Sequence, residues 1–179
     1  MSVRSEKAAS RLSFTAFEHF PLASLPSSNA RTVLDFNGSI LPAAPFIEAN
    51  YNVKADAASR AVAGLSMGGM ETMEVAFNNP DMFTYIWVLS SSLMPGQDPA
   101  AESQRLQVKK NAAKMNKQFK ALVFTQGGPA DIAYKNCENT RAQLLRDGLK
   151  FDYMENAQAG HSWTTWRADL EALAPTLFK

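Results

Sequence analysis

The chain has 179 residues, 46% hydrophobic and 20% charged, with a net charge of +1 and a single cysteine, Cys137. That is the make-up of one globular domain, spanning 1–179, with room for a sizeable core. It offers no basic surface for nucleic acid or a membrane face, no internal disulfide framework and no apolar run of bilayer length.

The opening "MSVRSEKAASRLSFTAF" carries basic residues but no continuous apolar stretch. It is a poor signal peptide, and Glu6 and Glu18 argue against a transit peptide, so the default expectation is cytoplasmic. The spacing of Ala9, Leu12, Ala16, Phe17 and Phe20 predicts an amphipathic helix over 6–20. A Pro- and Ser-rich loop over 21–31 follows. "TVLDF" (32–36) reads as a strand closed by the turn pair Asn37-Gly38, and "APFIEANY" (44–51) as a short helix. "AVAGL" (61–65) is a short buried strand. From Gly69 the period turns helical, with Met70, Met73 and Phe77 on one face and Pro80 beyond the end. "YIWVLS" (85–90) is apolar throughout, as a strand covered on both faces should be. "LMPGQDP" is a loop and 100–118 a polar helix. "ALVFTQGG" (121–128) is a further buried strand, 132–148 a helix, "FDYME" (151–155) a strand, "NAQAG" a loop and 163–178 a final helix. The alternation from residue 61 onward calls for an α/β fold, a mostly parallel sheet with helices on both faces. Ligand sites in such sheets form at the carboxyl edge of the strands. Ser66, Asp131 and His161 each follow a predicted strand and belong at that edge.

Gly64-Leu65-Ser66-Met67-Gly68 fits G-x-S-x-G between a strand and a helix. A tight strand-to-helix turn strains the serine backbone, and a side chain at 64 or 68 would clash with the neighbouring chain. The turn lifts the Ser66 hydroxyl clear of the sheet. It also sets the Met67 N–H at a helix start, where a developing oxyanion is stabilised. A serine hydroxyl is a poor nucleophile until a base takes its proton. Of the two histidines, His161 in "AQAGHSW" follows the last strand, whereas His19 precedes the first. An acid to orient the imidazole should lie between serine and histidine in the chain. Asp131 stands just past Gly127-Gly128; it would also cap a helix over "IAYKN". Asp98, on a looser loop, and Glu138, within a helix, are the alternatives. The order Ser66, Asp131, His161 is that of α/β-hydrolases.

"PFIEANYNV", "SRAVAGLSMGGMETMEVAFNNPDMFTYI" and "GHSWTTW" closely resemble the esterase D-like group of α/β-hydrolases, its feruloyl-esterase branch in particular. The resemblance runs over 44–179 and leaves 1–43 as a divergent N-terminal segment, with fewer strands than the full fold. It implies Ser66 as nucleophile, His161 as base, Asp131 as acid and no cofactor. It further implies a substrate in which an aromatic or short acyl group is esterified to a cell-wall sugar. The early strands and His-Gly oxyanion loop of the family have no clear counterpart here. "TVLDFNG" could replace that unit, with Asn37 or Gly38 giving the second oxyanion N–H. Otherwise a partner subunit covers the exposed sheet edge, or the chain is a weakly active fragment.

Trp163 is a candidate for the acyl pocket, while Trp166 reads as core. Met67, Met70 and Met94 would soften an apolar site, though Met70 and Met73 suit plain packing. "QVKKNAAKMNK" (107–117) reads as a solvated helix face. No cluster has metal-ligand spacing. The reading is a serine carboxylesterase; its rivals are acyl transfer on the same fold and a non-catalytic assembly module.

Overall fold

The computed structural model describes residues 44–179 apart from 95, 97, 98 and 158. The helix expected at 6–20 and the strand at 32–36 lie outside the described residues. Helix α1 covers 44–50. Strand β1 (Ala61–Leu65) leads directly into α2 (Met67–Asn78), then β2 (Tyr85–Leu89), α3 (Pro99–Gln118), β3 (Ala121–Gln126), α4 (Tyr134–Arg146), β4 (Asp152–Glu155) and α5 (Trp163–Leu173). The final helix is shorter than 163–178. It passes into a 3-10 turn at Ala174–Thr176, where Pro175 has no N–H to continue the α ladder.

The four strands are parallel in the order β1-β2-β3-β4. Each crossover joins neighbouring strands and steps the same way across the sheet, so crossovers of one hand leave α2, α3 and α4 on one face. Met73 and Phe77 of α2, Val108 and Met115 of α3 and Leu144 of α4 pack there with Val62, Ile86, Val88, Leu122 and Phe124. Alternate strand residues Tyr85, Trp87, Leu89 and Val123 point the other way, onto Trp166, Leu173 and Leu177. Burying such a side chain is worth about 1.5–3 kcal/mol, and both layers depend on β2.

That arrangement explains each strand's composition. The central β2 is buried at all five positions, β4 at none. Strand β1 differs from the expectation of a buried strand, since only Val62 is buried. Among the described residues it pairs on one side alone, and Ala61, Ala63 and Leu65 lie at the margin of the α5 layer.

Candidate active site

The carboxyl ends of β1, β2 and β3 meet at one edge, and the backbone there is bent to order. Ser66 sits between β1 and α2 with φ 52° and ψ −120°, a sparsely populated conformation for a non-glycine residue. The fold holds it there: Ser66 N–H donates to the Leu89 carbonyl at 2.9 Å, and the Ser66 carbonyl accepts from Gly69 N–H at 3.0 Å. Helix α2 starts at Met67 rather than Gly69, so the Met67 N–H is the first of the helix and has no intrahelical acceptor.

The glycines flanking the serine are not equivalent. A Cβ at Gly64 would lie 2.0 Å from the Gly68 carbonyl oxygen, so the turn closes only because Gly64 has none. The clash expected at Gly68 is corrected by the structure, where a Cβ would meet nothing within 4 Å. The crowded position is its neighbour Gly69, whose Cβ would come 2.4 Å from that of Ser91. Gly68 contributes its backbone to the contact, not the absence of a side chain.

His161 is brought in by the loop between β4 and α5. Its backbone approaches the β3 loop closely: a Cβ at Gly127 would lie 2.1 Å from the Gly160 carbonyl oxygen. Thr165 Oγ1 donates to that same carbonyl at 2.6 Å, pinning the loop to α5. Asp131, 3% exposed, stands in the loop before α4. Its Oδ1 accepts from Ala133 N–H at 2.9 Å and its Oδ2 from Gly127 N–H at 3.1 Å. Helix α4 begins at Tyr134 with Ala133 in the cap position, so Asp131 lies two residues before the capping site.

The three side chains form a line. Ser66 Oγ is 2.9 Å from His161 Nε2, and His161 Nδ1 is 2.7 Å from Asp131 Oδ1. An ionised carboxylate can only accept, so Nδ1–H donates to Asp131 and leaves Nε2 free to accept the Ser66 hydroxyl proton. Burial pushes the Asp131 carboxyl up, but hydrogen bonds from Ser90, Ala133 N–H, His161 and Gly127 N–H outweigh it and hold the group below its usual range. A buried anion is thus kept charged beside an imidazole, in an arrangement able to draw a proton off a hydroxyl and hold the resulting cation.

The remaining candidates fall to either side of this line. Glu138 is paired with Arg141 on α4 at 3.7 Å. His19, Asp98, Asn37 and Gly38, the last two expected as oxyanion donors, lie outside the described residues. Met67 and Trp163 are 60% and 63% exposed, each one or two residues from a member of the line. Trp166 is buried in the α5 layer, as its spacing suggests, yet its ring also meets His161 edge-on with centroids 5.0 Å apart. Ser90, wholly buried, was not foreseen. It sits in "LSSSL" with no periodicity or motif around it, and its one signal is its place at the carboxyl end of β2. Cys137 is buried, its Sγ donating to the Ser91 carbonyl at 3.0 Å, and burial pushes its thiol up to about 12. Among the described residues no group of three or more His, Cys, Asp or Glu could hold a metal ion, and no helix is long and apolar enough to cross a membrane.

Comparison with known proteins bears on the family and the fold. The model of the family described as "Putative esterase" matches residues 35–177. An endo-1,4-beta-xylanase/feruloyl esterase of Xylanibacter ruminicola is 33% identical over 139 residues, which cover 75% of this chain and 16% of the relative. Among solved structures, an S-formylglutathione hydrolase of Staphylococcus aureus superposes with a TM-score of 0.66 at 17% identity, over 80% of this chain and 62% of that one. A ferulic acid esterase of Anaeromyces mucronatus, solved with ferulic acid, gives 0.65 at 17% identity, over 80% and 53%. The chain therefore spans under two thirds of the length of each of these three relatives. The fold they share with it is that of the α/β-hydrolases.

Proposed function

This chain belongs to that esterase family, and from that premise we propose that it is a serine carboxylesterase acting on small acyl or hydroxycinnamoyl esters through an acyl-enzyme. The observation that carries the reading is the line from Ser66 Oγ through the His161 imidazole to the buried Asp131 carboxylate. Ser66 Oγ attacks the ester carbonyl carbon while His161 Nε2 takes its proton. The C–O π electrons move onto the carbonyl oxygen, where the Met67 N–H at the start of α2 stabilises the anion. Collapse expels the alcohol, protonated from His161 Nε2, and leaves the acyl group on Ser66. Water, deprotonated by the same nitrogen, then releases the acid. Asp131 stays ionised throughout and stabilises the imidazolium.

The relative and the solved neighbour named for feruloyl or ferulic acid esterase activity support a hydroxycinnamoyl group on the acyl side and a polysaccharide-linked alcohol. Three exposed apolar side chains adjoin the line in sequence: Met67 beside Ser66, Ile132 beside Asp131 and Trp163 near His161. Of these, Trp163, whose ring also meets Trp166 edge-on, is the one proposed to offer such an acyl group a flat aromatic surface.

The test is hydrolysis of p-nitrophenyl acetate and methyl ferulate by the chain and by Ser66→Ala. Turnover of either ester, with a loss of about 10³-fold or more on removing the hydroxyl, supports the reading; equal rates for the two proteins overturn it. Trp163→Ala is expected to lower kcat/KM for methyl ferulate more than for the acetate, and equal losses would remove Trp163 from the acyl site.

A further inference from the structure

Ser90 and Trp166 lie behind the His161–Asp131 pair and are joined to one another. The Trp166 indole meets the His161 ring edge-on, at 85° and 5.0 Å, a favourable geometry for aromatic rings. Its Nε1–H donates to Ser90 Oγ at 3.0 Å. A serine hydroxyl has one proton to give; with its oxygen accepting from Trp166, that proton is free to turn toward the Asp131 carboxylate, whose charged form Ser90 favours. Ser90 itself is held rigidly: its N–H donates to the Thr125 carbonyl of β3 at 2.9 Å. Its φ is 47°, a backbone that glycine would adopt without cost. A buried serine kept in that conformation indicates use of the hydroxyl.

We infer that Ser90 and Trp166 act as one positioning unit for the His161–Asp131 pair, Trp166 fixing the imidazole plane from its edge and orienting the Ser90 hydroxyl toward the carboxylate. The inference rests on the proposed role of His161 as base. Neither residue touches the reacting atoms; each acts through His161 or Asp131. A purely structural role for Ser90, as an acceptor for a buried indole N–H, makes a different forecast, because its removal would then lower stability and leave the imidazole in place.

Ser90→Gly relieves the strained backbone and deletes the hydroxyl. Trp166→Phe keeps an aromatic ring in the α5 layer and deletes the donor, and it serves alone if the glycine variant folds poorly. Each is expected to lower kcat for p-nitrophenyl acetate by about 10- to 100-fold, the worth of a hydrogen bond to a charged group, with KM little changed and no matching fall in Tm. The double variant should be no slower than Ser90→Gly by more than about twofold, since a shared unit can be lost only once. In proton NMR the low-field His161 Nδ1–H signal should shift in both single variants. That signal is read without turnover, so it decides the inference even if the wild type hydrolyses no ester. An unmoved Nδ1–H signal, losses that multiply in the double variant, or activity that falls only in step with Tm would each overturn it.

Discussion

Gly64→Ala and Gly68→Ala alter the two glycines of one sequence pattern and should have opposite outcomes. At position 64 the new methyl would lie 2.0 Å from the Gly68 carbonyl oxygen, 2.2 Å from the carbonyl carbon and 2.7 Å from Thr72 Oγ1. Ordinary contact begins at 3.4 Å, so β1 and the start of α2 must part by the difference, 1.4 Å. Ser66 lies between them, and its Oγ has only 2.9 Å to His161 Nε2; a shift of that size takes it out of hydrogen-bond reach. A misplacement of about 1 Å costs roughly 10²-fold in rate, and overpacking costs about 1–3 kcal/mol of stability. At position 68 the methyl meets nothing within 4 Å. Alanine there favours α2 by about 0.5–1 kcal/mol over glycine, and activity should stay within about threefold of wild type. The assay is kcat/KM for p-nitrophenyl acetate beside thermal unfolding of both variants. A Gly64→Ala enzyme as active as wild type, or a Gly68→Ala enzyme as impaired as Gly64→Ala, would refute the close approach as the reason for the pattern.

Asp131→Asn removes the charge that holds the imidazolium and sets an amide among donors suited to a carboxylate. It should lower kcat by about 10³- to 10⁴-fold, and a loss under tenfold would show that Asp131 does not serve His161. Because the folded Asp131 carboxyl is held below its unfolded range, its stabilisation is complete above that range and is lost as pH falls through the depressed value. Urea midpoints followed into acid should therefore fall more steeply for wild type than for Asp131→Asn, and parallel slopes would contradict this. Glu71 has the opposite sign: burial, then the nearby Glu74 charge, push its carboxyl from 4.5 to about 7. Its folded form holds a proton that the unfolded chain has released, so stability falls as pH rises through that window. Glu71→Gln should raise Tm at about pH 8 and little at about pH 4, whereas equal shifts at both would exclude the effect.

The fold was legible where burial dominates composition. Strands β2 and β3 are apolar runs because both their faces are covered, and α2 shows its period in Met73 and Phe77, both fully buried. Strand β4, last in the sheet among the described residues, was marked by the loop "NAQAG" that follows it, since none of its own residues is buried. The start of α2 at Met67 could be read from the serine motif, whereas the apolar period alone shows the helix only from Gly69. Ser66, Asp131 and His161 could be named from chain order, and the structure brings all three together. Which glycine carries the turn could not be read, because both occupy the same spacing and differ only in what faces them across space. Ser90 was hidden for the same reason: its partners, Thr125, Asp131 and Trp166, are distant in the chain and meet only through strand pairing and the packing of α5.

The most direct measurement is the mass of the chain after treatment with a fluorophosphonate, which reacts only with a serine activated by a base and an oxyanion site. A single phosphonyl adduct on the peptide containing Ser66, absent from Ser66→Ala, is the expected result. An unmodified wild-type chain, or an adduct of equal yield in Ser66→Ala, would contradict the assignment of Ser66 as nucleophile.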